Sequence, residues 1–144
     1  MSKEAEKAFE RYTQILKVLN EEKDQKGLKF LEDLINKCTE YFRIIAEQKT
    51  LKLREDKFAT RKDFAEEYGS LDELRTILHN ALISQIKILN RYLFKNYKVN
   101  EQIPLGGIYT YNLDSLTNED RRTIGDWAFS LAEALFKHHV VTQD

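Results

Sequence analysis

The sequence predicts an all-α protein: an antiparallel four-helix bundle with a short additional helix and a long ordered loop before the last helix. Three observations predict it. Apolar residues recur at the 3.6-residue period over four long segments. Five glycines and one proline in 144 residues leave few places where a helix must break. Capping residues stand in front of the periodic stretches. A single domain over residues 1–144 is expected, long enough to bury roughly 68–70% of its unfolded surface without staples.

Helix one is expected over about Lys3–Lys23. Ser2 is a good N-cap, and Glu4 and Glu6 suit the positive end of the helix dipole. Ala5, Ala8, Phe9, Tyr12, Ile15, Leu16 and Leu19 keep the helical period. Gly27 is read as the turn that follows. Helix two then covers about Leu28–Lys49, with Leu28, Leu31, Leu34, Ile35, Cys38, Tyr41, Phe42 and Ile45 facing inward. Thr50–Thr60 has no single apolar face and is either a continuation of helix two or a loop.

Thr60-Arg61-Lys62-Asp63 reads as a capping box for a short helix ending at Tyr68-Gly69. Ser70-Leu71-Asp72-Glu73 reads as a second capping box, opening a long helix to Tyr97. Leu71, Leu74, Leu78, Leu82, Leu89 and Leu93 centre the apolar face of that helix, and Ile77, Ala81, Ile86, Ile88 and Tyr92 widen it. Ile83 and Phe94 fall outside the arc. A face this broad marks the centre of a bundle or a surface shared with a second subunit.

Lys98–Thr117 is long for an irregular connection, and such loops are often functional. Alternation around Pro104-Leu105-Gly106-Gly107 allows a small β-hairpin; the other reading is a crossing loop pinned by its tyrosines. Thr117 caps the last helix, whose inward residues are Ile124, Trp127, Ala128, Leu131, Ala132 and Leu135.

The formal net charge is −1, which excludes a globally basic nucleic-acid binder. A lone Cys38 allows no intramolecular disulfide. No apolar run reaches the ~20 residues that span a bilayer, and the N-terminus is charged at once, so the cytoplasm is the expected compartment. No residue three before His79, His138 or His139 is acidic, and no H-E-x-x-H or cysteine pair occurs, so neither a metal site nor a cofactor is expected. There is no phosphate loop, dinucleotide fingerprint or nucleophile elbow. Phe64–Gly69 matches the start of a helix-turn-helix, but Asp72 and Glu73 would then face phosphate, which opposes binding.

One polar set stands out. Asp72, Arg75 and His79 share an edge of the long helix at helical spacing, and an arginine beside a histidine suits acid–base work on a phosphodiester. In carrying these two residues on one helix the chain resembles the helical ribonucleases of the HEPN class. That resemblance implies a ribonuclease using Arg75 and His79, although the class sets its pair further apart than Thr76, Ile77 and Leu78 allow here. The other reading is structural, with Arg75 paired to Asp72 or to an acid on a neighbouring helix. Gln85 falls in the middle of the apolar face and should be buried, where it either fixes register, pairs with a two-fold mate or lines a small pocket. Tyr109 and Tyr111, if exposed in the loop, are candidate interface residues.

The expected function is therefore a non-enzymatic cytosolic interaction or regulatory protein that binds a protein partner and forms a homodimer more readily than a monomer. The HEPN-like ribonuclease and a small-molecule regulator with a pocket near Gln85 are the alternatives.

Overall fold

The computed structural model describes residues 2–103 and 107–141. It is all-helical, with four long helices: α1 (Lys3–Glu21), α2 (Gln25–Leu53), α3 (Arg61–Asn96) and α4 (Asn118–Lys137). Single 3₁₀ turns occupy Glu55–Lys57 and Gly107–Thr110. No strand occurs among the described residues; an isolated bridge between Val99 and Ile103 is the only β pairing there. The hairpin is thus replaced by a crossing segment that sends Ile103, Ile108 and Tyr109 into the core. Its expected turn at Pro104-Leu105-Gly106 lies outside the described residues.

Local signals account for most helix starts. Ser2 Oγ accepts from the Ala5 N–H at 3.1 Å and opens α1. Thr60 Oγ1 accepts from the Asp63 N–H and opens α3. Thr117 and Asp120 exchange side-chain and backbone bonds in a complete capping box at α4.

Two boundaries differ from the sequence reading. Gly27 is not a turn: it lies in the first turn of α2, where its N–H donates to the N-cap Asp24 at 2.9 Å. Nor does Gly69 end a helix. The short helix and the long one are a single 36-residue α3, and the Ser70 hydroxyl donates to the Glu66 carbonyl instead of capping. One glycine inside a helix costs only about 1 kcal/mol, and the flanking turns supply more than that.

The packing centre also differs. It is α2 that packs on each of the other three helices, while α3 packs chiefly on α2 and α1 on α4. Ile15, Leu19, Leu34, Leu82, Leu93 and Leu131 are fully sealed where these helices meet. Ile83, expected off the apolar arc, is buried, because α3 turns that edge toward its neighbours. No helix among the described residues is long and apolar enough to cross a membrane.

Candidate functional site

The polar set of α3 lies in a seam between α2, α3 and α4. Its centre is Gln48 of α2, only 3% exposed. The Gln48 Nε2 donates to Asp72 Oδ1 at 3.5 Å, and Arg75 Nη1 donates to Gln48 Oε1 at 3.4 Å. Both bonds are at the long limit of hydrogen-bond geometry. Asp72 and Arg75 therefore meet through an amide rather than as an ion pair. The Arg75 guanidinium also lies 5.9 Å from the Tyr41 ring centroid, within cation–π range.

His79 is held separately. Its Nε2 donates to the Arg121 carbonyl oxygen at 2.8 Å, which assigns the proton to that nitrogen. Arg121 Nη1 also donates to Asn80 at 3.3 Å, so one residue at the start of α4 ties down two neighbours on α3. The Tyr41 ring packs 5.6 Å from the imidazole. Desolvation lowers the His79 pKa, the bond to the Arg121 carbonyl raises it, and the charges of Arg121 and Arg75 lower it; the net direction is down. Gly125 makes this approach of α4 feasible, since a Cβ there would stand 2.7 Å from the Tyr41 hydroxyl.

A cavity of about 400 Å³ opens beside the seam, bordered by Tyr41, Gln48, Lys49, Tyr68, Arg75 and Asp126. His79 is not among the residues that border it. The two members of the supposed acid–base pair thus both lie against the Tyr41 ring, but only Arg75 borders the cavity. The cavity offers cations, aromatic rings and the Asp126 carboxylate, but not the imidazole of His79. Among the described residues, no three His, Cys, Asp or Glu side chains gather as metal ligands.

Gln85 departs from expectation. It is half-buried and borders none of the cavities described here. The amide that α3 does bury is Asn90, whose Nδ2 reaches the Tyr109 carbonyl at 3.5 Å and whose Oδ1 has no donor. Tyr109 is buried as well, its ring edge-on to Trp127 at 5.8 Å, so of the two loop tyrosines only Tyr111 keeps a partly open surface. A second cavity, of about 820 Å³, lies between α1, α4 and the crossing segment. Trp127, Tyr111 and Ile108 border it, together with Gln14, whose Oε1 is sealed from solvent without a donor.

The outer face of α3 is the third feature. Leu74 is 40% exposed, Ile77 63% and Ile88 41%, all on the side of the helix turned away from α2. The sequence counted these residues within one apolar arc; the fold covers the arc's other side and leaves this one open. Exposed Asp63, Glu66, Glu67 and Glu73 precede them, and exposed Arg91 and Lys95 follow.

Sequence reasoning missed Gln48 and Asp24. Gln48 has a local signal, since it continues the Tyr41–Ile45 stripe of α2 by one turn. Asp24 reads as one more polar residue in a charged turn; only the fold brings Tyr92 and Tyr97 to it.

A family model described as "Protein of unknown function (DUF3232)" matches residues 1–140. The chain belongs to the DUF3232 family. No curated protein and no solved structure matches this DUF3232 chain.

Proposed function

We propose that this chain is a non-enzymatic regulator of the cytoplasm that docks a protein partner on the outer face of α3. The observation that carries this reading is the row of Leu74, Ile77 and Ile88, exposed along one helix face. Single exposed hydrophobes are ordinary. Three on one face of one helix, bracketed by acids on one side and bases on the other, have the composition of a docking surface with a polar rim. The same reading takes the helices as antiparallel neighbours of one domain, as the three-residue connection between α1 and α2 favours. The ribonuclease alternative is set aside, because the Nε2 of His79 is committed to backbone and the residue does not border the Arg75 cavity.

The test is a photo-crosslinking residue at Ile77, compared with the same residue at exposed Glu133 on α4. A discrete protein adduct at position 77 and none at 133 is expected. Equal or absent adducts at the two positions would remove the reading.

A second reading rests on Gln14. Its donorless Oε1 beside the 820 Å³ cavity suits a flat ligand carrying an N–H group. Trp127 is the only tryptophan, so its side-chain N–H gives one NMR signal. That signal should shift more readily with indole than with 1-methylindole; equal response to both would count against the site.

A further inference from the structure

We infer that the partner on α3 is a second copy of this chain, lying antiparallel across a two-fold axis beside Ala81 and Ser84. The inference rests on the docking reading above and adds the identity and register of the occupant.

Charge order along the open face selects the occupant. Acidic residues predominate in its N-terminal part (Asp63, Glu66, Glu67 and Glu73, against Lys62), apolar residues hold its middle (Leu74, Ile77, Ile88) and basic residues its C-terminal part (Arg91, Lys95); all of these are exposed. A face ordered acid–apolar–base is complementary to itself only when reversed. A parallel copy would set acid on acid and base on base, and like charges in opposition disfavour pairing.

Helical spacing then sets the register. Glu73 and Arg91 are eighteen positions apart, as are Leu74 and Tyr92, and at 3.6 residues per turn each separation is five whole turns. Each pair therefore lies in one row along α3. A two-fold axis perpendicular to the helix maps a row onto itself reversed, so Glu73 of one copy meets Arg91 of the other and Leu74 meets Tyr92. The same axis sets Ile77 against Ile88, which are eleven positions and about three turns apart. The midpoints of the three pairings fall within one residue of each other, between positions 82 and 83. Lys95 comes within reach of Glu66. At the crossing stand Ala81 and Ser84, small enough for the axes to approach to about 8 Å.

Nothing on α3 itself spends these charges first. Among the described residues, the ion pairs of α3 are confined to Lys87 with Asp114. Asp114 also lies near Arg91 and offsets part of its field. The overlap from Ser70 to Lys95 is about 40 Å long and one helix wide, which places the contact at the small, transient end of protein interfaces. The expected dimer is accordingly concentration-dependent and weakened by salt.

Sedimentation equilibrium of the full chain across protein concentration tests this. Reversible dimerisation is expected, weaker at high salt. Ile77→Asp, which alters an exposed position and spares the core, should leave a folded monomer. Glu73→Lys and Arg91→Glu should each weaken association about tenfold, since each turns two attractive pairs into repulsive ones. The double variant Glu73→Lys/Arg91→Glu should restore it. A wild-type chain that stays monomeric, an unaffected Ile77→Asp, or single losses without rescue would overturn the inference. A crosslink from position 77 to a different protein in a monomeric chain would keep the docking reading and reject the second copy.

Discussion

The Tyr97 hydroxyl donates to the Asp24 carboxylate at 2.7 Å across 73 positions of chain. Tyr92 donates to the same carboxylate, also at 2.7 Å, and the Gly27 N–H completes the set. The N-cap of α2 is thus also the anchor for the C-terminal end of α3. One residue closes a helix start and fixes the far end of the longest helix against it.

Replacing Asp24 should therefore cost more than a cap. Loss of an N-cap is worth about 1 kcal/mol, and each hydrogen bond to a charged group about 1.5–3 kcal/mol when buried, less where water reaches it. Asp24→Ala is expected to destabilise by about 2–4 kcal/mol in urea unfolding, and Asp24→Asn, which keeps the cap, by clearly less. A loss of only about 1 kcal/mol for Asp24→Ala, with almost none for Asp24→Asn, would show that the tyrosine bonds contribute nothing beyond the cap.

The same cluster predicts how stability responds to pH at both ends. Partial burial pushes the Asp24 carboxyl upward, but bonds from Tyr92, the Gly27 N–H, Tyr97 and the Lys26 N–H outweigh it and hold the pKa below its usual 3.8. A lowered folded pKa means that this stabilisation is present above the unfolded value and is lost as pH falls through the folded one. Tyr92 has the opposite sign. Its bond to Asp24 foremost, then desolvation and the carboxylate charge, push its pKa up to about 12 from 10.0. Its share is complete below pH 10 and is lost as pH rises toward 12. Tyr92→Phe should flatten the fall of melting temperature between pH 10 and 12 relative to the wild type; an unchanged slope would refute the assignment.

Two helical glycines should respond to alanine with opposite signs. A Cβ at Gly27 would stand 2.7 Å from Leu19 Cδ2 and 3.0 Å from Tyr92 Cε1. Leu19 is fully buried and cannot give way. Gly27→Ala should destabilise by about 1–3 kcal/mol, the usual cost of overpacking. A Cβ at Gly69 meets nothing within 4 Å. Gly69→Ala should stabilise by about 0.5–1 kcal/mol through helix propensity. Chemical denaturation of both variants checks the pair.

His79 should titrate below the ordinary histidine range, because its proton must enter a half-buried site beside two arginines. With the folded pKa lowered, neutral His79 is compatible with the fold above pH 6.5, and stability declines as pH falls through the folded value. Its imidazole signals in an NMR titration should move at lower pH in the folded chain than in the chain unfolded by urea. Coincident midpoints would contradict the buried, backbone-bound geometry.

Cys38 is fully buried, and burial raises its thiol pKa strongly. A thiolate reagent such as dithionitrobenzoate should react with the native chain only as fast as it opens, and immediately in denaturant. Stoichiometric reaction within seconds under native conditions would place the thiol at the surface.

What the sequence determined by itself was local. Ser2, Thr60 and Thr117 cap helices because each cap bond closes within three residues, and the α1, α2 and α4 stripes are buried in or packed against the core as their spacing predicts. Even local signals compete, however: Ser70 has the form of a cap, yet α3 runs through it because Thr60 has already opened that helix. What the tertiary structure alone decided was which neighbour each face meets. Leu74, Ile77 and Ile88 are as apolar as Leu82 and Leu89, but α2 covers one side of α3 and not the other. Gln85 sat in that arc and is only half-buried, while Gln48, one turn along the α2 stripe, is the amide that joins Asp72 to Arg75. Hydrophobicity and helical period belong to residues and their near neighbours in the chain. Burial belongs to surfaces brought together from distant positions, and no periodicity within one helix records which surface arrives.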